Sequence, residues 1–488
     1  MEKTIHPRVE SKAQSSNGRG AARLSRRELL QRGSAVGLGA AGASVFLNYR
    51  PQTAAAAVET LGTPRRAATL VRGQTDKYKG TTLTFAAQFH PSVEGVKPLL
   101  GKFEEETGIK VQVDEYPYPD ILNKQEVAYA SGSSAFDIGM ADPLYVLTWF
   151  NAGWVEPLQS YVDNTDLTDT SRLKLSDFLA KPIAQLTDPK TKQLTSLPIY
   201  AESIELMYRK DLFDKYGAKV PETFDELMDA AGKLHHPDDG ITGISLRGQR
   251  GAGLNVYIWT SVLKAYGGRF FDETYQPVLN TPEAITAAEY YAELLNKYGL
   301  TGPANIGWEE TLTNMQQGKL GMIIDATVFA GPLESPKDST VQGKVGYAFV
   351  PSGPKGRVPS LAAWGLFIPK AAKNKEAAWQ FIQWATSSEI ELQSAKLGPR
   401  SDVTRTSTWG SEEFRALKQD WGDWSDVTQA SLEESDPDYR PRISNWPAVG
   451  DRLGVALSEI IAGQTPAEEA LGAANEEIAK MMKDAGYA

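Results

Sequence analysis

The run Thr81-Thr82-Leu83-Thr84-Phe85-Ala86-Ala87 has the length and the β-branched, aromatic make-up of a strand. It stops in a polar loop, Gln88-Phe89-His90-Pro91. A helix to about position 106 follows, Gly108 stops it, and Ile109-Lys110-Val111-Gln112-Val113 reads as a second strand. Strand, helix and strand within about thirty residues make a βαβ unit, whose crossover returns the chain to the same end and leaves its strands parallel. Parallel sheets need helices on their faces, so this unit predicts an α/β fold.

The alternation continues along the chain. A helix is expected over 121–130, and a buried strand over 136–140 that runs into Ala141-Asp142. Thr223-Phe224-Asp225-Glu226 is a capping box that opens a helix to about 234. Thr281-Pro282 opens another, with Ala284, Ala288, Tyr291 and Leu295 on one face and Gly299 at its end. Strands are expected over 319–326, 344–350 and 364–369, then helices over 375–387, 449–461 and 465–483, the last with a capping box through Glu468. Ligands of open α/β sheets bind beyond the carboxyl ends of strands, which selects Gln88, His90, Asp142 and Asp325.

At 488 residues the chain exceeds one ordinary core, so two globular units are expected. Nine Lys/Arg and three Asp/Glu in residues 1–57 give +6, so the rest carries −16 of the formal −10 total. A body that acidic is repelled by phosphate backbones, which argues against a nucleic-acid partner. The chain has no cysteine, which excludes disulfides, thiolate nucleophiles and zinc ribbons.

Arg26-Arg27, a weakly apolar Gly/Ala run over 34–47 and small residues at 54–57 compose a twin-arginine export signal over 1–57, followed by a linker over 58–79. Gly37-Leu38-Gly39-Ala40-Ala41-Gly42 fits the dinucleotide pattern but lies inside that signal, without the strand and helix that would give it meaning. The phosphate-loop, H-E-x-x-H, G-x-S-x-G and EF-hand patterns are absent. His235-His236 precedes Pro237-Asp238-Asp239-Gly240, which is turn chemistry rather than a metal site. No cofactor is expected. Some pair of acids at glycosidase spacing is inevitable among 61 Asp/Glu, so such a pair carries little information.

Aromatics carry more. A flat ring packs on the C–H face of a sugar or polyol while carboxylates, amides and Arg hold its hydroxyls. In the stretch 197–213, Tyr200 and Glu202 stand just before an expected strand and, two apart in extended chain, share a face. Trp379 and Trp384 sit on helix faces and read as core. Trp364 and Trp446, beside Gly or Pro in aperiodic chain, are candidates for a cleft. Arg400, in a Gly-Pro turn, reads equally as a surface charge or a ligand clamp.

Several segments resemble, in order, the extracellular solute-binding proteins of carbohydrate ABC importers, family 1. Phe103-Glu104-Glu105-Glu106-Thr107-Gly108-Ile109-Lys110-Val111 is similar to that family's early helix–strand, and Gly153-Trp154-Val155-Glu156-Pro157-Leu158 to its following loop. The stretch 197–213 resembles its first crossing between lobes, and Pro221-Glu222-Thr223-Phe224-Asp225-Glu226-Leu227 a helix start with Phe where Trp is common. Tyr266-Gly267-Gly268-Arg269-Phe270, 318–325 and 364–387 add further matches.

The resemblance implies two α/β lobes of the periplasmic-binding-protein fold, joined by crossing strands and closing on a ligand. By analogy, lobe one is 80–200 with a return at 366–401, lobe two is 201–365, and 402–488 adds mainly lobe-two helices. The ligand site it implies comprises Gln88, His90, Asp142, Tyr200, Glu202, Asp325, Trp364, Gly365 and Arg400, with Arg247 and Trp259 from a variable region. The implied function is the binding component of an importer for a sugar, sugar alcohol or small glycoside, with no catalysis. Its partners are membrane permease subunits and, for export, the twin-arginine machinery. Lacking a lipobox cysteine, the protein is expected in the periplasm without a lipid anchor. A secreted glycoside hydrolase or lyase, or a binder of another solute, is the alternative.

Overall fold

A computed structural model describes residues 77–398 and 400–487. The export signal expected over 1–57, with its glycine pattern, and nearly all of the expected linker lie outside these residues. Strand β1 (Thr82–Gln88) pairs in parallel with β2 (Lys110–Tyr116), Thr82 opposite Lys110 and Gln88 opposite Tyr116. Pro98 divides the connecting helix into Pro91–Val96, a 3-10 turn and Leu100–Thr107. Gly108 ends it at φ +71, a left-handed conformation that a side chain disfavours.

On the far side, Phe85 of β1 bridges Ile138 in parallel, just before β3 (Gly139–Ala141). The expected strand over 136–140 is thus shorter and shifted. Strand β4 (Leu197–Glu202) gives way after Ser203 alone to β5 (Ile204–Arg209). The other strands are β6 (Thr242–Ser245), β7 (Leu320–Ala326), β8 (Val345–Phe349) and β9 (Ala362–Phe367). Strands β3, β9 and β4 form one sheet, antiparallel at both joins; β6, β7, β5 and β8 form another. The fold is therefore a two-lobe α/β periplasmic-binding architecture with mixed sheets, and Ser203 sits where the chain passes between them. Its N–H donates to Thr327 Oγ1 (3.3 Å) and its carbonyl accepts from Thr327 N (2.9 Å).

Strands buried on both faces read as continuous apolar runs. Ile204 and Leu206 of β5, with Met322 and Ile324 of β7, face one core cluster, while Met207 and Ile323 face another. The Thr223–Glu226 capping box forms and opens helix Phe224–Leu234. Ala284, Ala288, Tyr291 and Leu295 are buried along helix Pro282–Tyr298. The capping box expected through Glu468 does not form: helix Ala467–Asp484 starts after Pro466, with no side-chain cap among the described residues. Trp446, expected at a cleft, opens helix Trp446–Ile461 and is fully buried, edge-on to Phe270. Among the described residues no helix is long and apolar enough to cross a membrane.

Candidate functional site

Strand β4 carries a bulge. Pro198 faces Gly365 and Tyr200 faces Trp364, so Ile199 is left over in the pairing with β9. Its carbonyl is not wasted, because the buried Arg400 guanidinium donates to it and, through Nη1, to Ser394 Oγ (2.8 Å). Beyond the bulge the two-residue period puts Tyr200 and Glu202 on one face, opposite Trp364 and Ala362 of β9. All four line a cavity of about 80 Å³ between the sheets. Tyr200 stacks on His90 at 3.9 Å and on Trp364 at 5.8 Å, and its hydroxyl reaches Gln88 Oε1 at 3.4 Å.

Two arginines face this aromatic wall, each matched to an acid. Arg247 forks onto Asp325 through Nε and Nη2, while its Nη1 donates to the Gly253 carbonyl at 2.9 Å. Arg440 donates to Asp142 Oδ2 at 2.9 Å; Asp142 Oδ1 accepts from Leu144 N at 2.9 Å and so caps helix Pro143–Asn151. Both guanidiniums lie over the Tyr257 ring, at 5.3 and 5.2 Å. Burial opposes the charge on Arg247, but Asp325 outweighs it and raises the pKa; Asp142 does the same for Arg440.

Glu202 differs. It is 8% exposed, and its Oε2 has no hydrogen-bond partner among the described residues. Burial, then the nearby Asp402, push its pKa well above the carboxylate range, while Arg247 opposes the rise. His90 is held neutral: burial, then Arg400, lower its pKa to about 3. Its Nδ1 accepts from Ser92 N, so the ring proton belongs on Nε2. The cavity thus joins flat apolar faces, two neutralised cations and one buried acid with an open oxygen.

The family of bacterial extracellular solute-binding proteins matches this chain over residues 86–391. The chain belongs to that family. It is 32% identical over 376 residues to the mannitol-binding protein of Pseudomonas aeruginosa, covering 73% of this chain and 83% of that one. An Agrobacterium radiobacter solute-binding protein in complex with ribitol superposes at TM-score 0.76, with 28% identity over 83% of this chain and 99% of that one. An Agrobacterium vitis protein with bound D-mannitol gives 0.74 and 31%, at the same coverage.

In this solute-binding protein, seven expected site residues line the cavity: Gln88, His90, Asp142, Tyr200, Glu202, Arg247 and Trp364. Four do not. Asp325 is fully buried in β7 and acts through Arg247. Arg400 supports the bulge from behind, and is neither a surface charge nor a clamp on the cavity. Gly365 points away, where an added Cβ would lie 2.2 Å from Ser196 Oγ. Trp259 is a core residue, edge-on to Phe270 at 6.5 Å. Sequence reasoning missed Tyr118, Tyr257, Trp308 and Arg440, all of which line the cavity. His235 and His236 are engaged locally: Gly243 N donates to His235 Nδ1, and His236 stacks on Tyr216 at 3.9 Å.

Asp402, behind His90, carries a pH-dependent cost. Its Oδ2 lies 3.5 Å from His90 Nδ1 and its Oδ1 3.6 Å from Arg400 Nε, yet neither oxygen has a hydrogen bond among the described residues. Burial, offset by Arg400, raises its pKa to about 6. The folded state therefore holds this proton where the unfolded chain, near the ordinary value of 3.8, has released it. Stability falls through that window as pH rises. Asp402→Asn is expected to match the parent near pH 4 and to gain on it, by on the order of 2 kcal/mol, up to pH 6 to 7. Chemical denaturation at stepped pH measures this, and a pH-independent difference would contradict it.

Proposed function

We propose that this solute-binding protein takes up a small neutral polyol or sugar in the cavity and delivers it to the permease of an ABC importer without altering it. The observation that carries the reading is Glu202: a buried acid with an open oxygen, beside the stacked faces of Tyr200, His90 and Trp364. Such a wall suits C–H faces and hydroxyls together. The polyol ligands of the related proteins point the same way. Neutrality follows from charge balance. Arg247 and Arg440 are already matched by Asp325 and Asp142, so an anionic glycoside would leave an uncompensated charge in a buried site.

Export by the twin-arginine machinery, a periplasmic location without a lipid anchor, and the lobe limits given above belong to this proposal. Calorimetry with D-mannitol, ribitol, erythritol, maltose and a sulfonated glycoside tests it, with the ligand recovered afterwards. Saturable binding of a neutral member, returned intact, is the expected result. Binding of the sulfonated glycoside alone would overturn neutrality, and a cleaved ligand would overturn the non-catalytic reading.

A further inference from the structure

Tyr118 and Gly253 meet across the cavity, each from a different lobe. Tyr118 follows β2, packs against the first-sheet core and presents its ring edge-on to Trp364 at 6.3 Å, 64°. Gly253 stands just before helix Asn255–Ala265, whose Val256, Ile258 and Val262 belong to the second-sheet core. A Cβ built on Gly253 would lie 2.3 Å from the Tyr118 hydroxyl oxygen and 3.1 Å from its Cζ. The backbone at Gly253 has negative φ, so conformation does not demand glycine there. The space beside Tyr118 does.

The loop cannot retreat to make room. A Cβ on Gly248 would meet the Pro303 carbonyl oxygen at 2.0 Å, and one on Gly454 would meet Gly251 N at 2.5 Å, so backbone lies directly on backbone on both sides. Asn255 ties the loop further, donating to the Gly454 carbonyl at 2.9 Å and accepting from Gly251 N at 3.2 Å. An added methyl at 253 must therefore displace the hydroxyl end of Tyr118, the group that reaches across from the other lobe.

We propose that Tyr118 and Gly253 form the closing contact of the cleft, positioning residues that set how long a bound ligand is retained. This rests on the binding reading above. Without the contact the lobes stop short of full closure, and contacts that depend on both lobes weaken together.

The test is a double-mutant cycle on the full chain, with the neutral panel named above and calorimetry and stopped-flow dissociation as readouts. Gly253→Ala is expected to weaken binding about tenfold or more, mainly through faster dissociation, while ligand-free Tm stays at the parent value. Tyr118→Ala removes the partner of the clash. Gly253→Ala/Tyr118→Ala should therefore bind like Tyr118→Ala alone, the non-additivity expected of touching residues. Small-angle scattering should show less ligand-induced compaction in Gly253→Ala than in the parent. Equal binding by Gly253→Ala and parent, independent multiplication of the two effects, or a fall in ligand-free Tm that accounts for the loss would each overturn the closing contact and leave the binding reading standing. A parent that binds no member of the panel would overturn both, and that failure is visible before any variant is made.

Discussion

Asp325→Ala should lower the unfolding free energy by about 3–5 kcal/mol, because it strands a buried guanidinium. Arg247 reaches Asp325 through two nitrogens, and Asp325 is fully buried in β7 opposite Glu205. Removing the carboxylate leaves the cation with the Gly253 carbonyl, the Tyr257 face and the nearby Glu202, which burial and Asp402 favour in its neutral form. For a unit of this size the corresponding fall in Tm is roughly 10 °C. Arg247→Met/Asp325→Leu removes both charges and should recover most of the stability, since a buried ion pair is worth little beyond a well-packed apolar replacement. The same double variant should still bind poorly, since the cavity has lost the Arg247 guanidinium and keeps only that of Arg440. Thermal melts and calorimetry on the three proteins separate the two effects. An Asp325→Ala protein that melts with the parent would show that Arg247 does not depend on this pair.

How far the site was legible depended on periodicity. Tyr200 and Glu202 were found because extended chain repeats every two residues, and the residue-by-residue alternation of β4 brings both to the cavity. Helices were harder. Tyr257 and Trp259 lie two apart on helix Asn255–Ala265, a separation of about 200°, so the face with Tyr257 meets the cavity while Trp259 enters the core. In an apolar helix that is buried all round, sequence does not mark which face is which. Arg440 is 298 residues from Asp142 and lies in an aperiodic segment, so nothing local signals the pairing. Arg400 was visible as a residue but not as a role. Its function depends on a bulge at Ile199, and a bulge is a property of two paired strands rather than of either one. The fold fared better, since capping boxes, Pro starts and strand–helix alternation are local signals, and the family resemblance ordered them.

Replacing Glu202 by Leu is expected to weaken binding of a polyol or sugar about a hundredfold, near 2.7 kcal/mol. The side chain changes little in volume, but a ligand hydroxyl that had shared the open Oε2 is left buried against hydrocarbon. Glu202→Gln should lose no more than about fivefold. Burial and Asp402 favour the protonated acid, and a protonated acid and an amide each offer one acceptor and at least one donor proton. The comparison therefore reports which form the ligand meets. If Gln were as damaging as Leu, the ligand would require the full carboxylate charge; binding would then strengthen with rising pH and would favour solutes that donate more strongly than a neutral hydroxyl. If both substitutions were harmless, Glu202 would be a buried acid without a ligand, and the aromatic wall of Tyr200, His90 and Trp364 would have to account for recognition by stacking alone. Titration of parent and both variants with D-mannitol and ribitol at pH 5.5 and 7.5 distinguishes these cases, because a required carboxylate makes the parent gain affinity relative to Glu202→Gln as pH rises, whereas a required protonated acid does not.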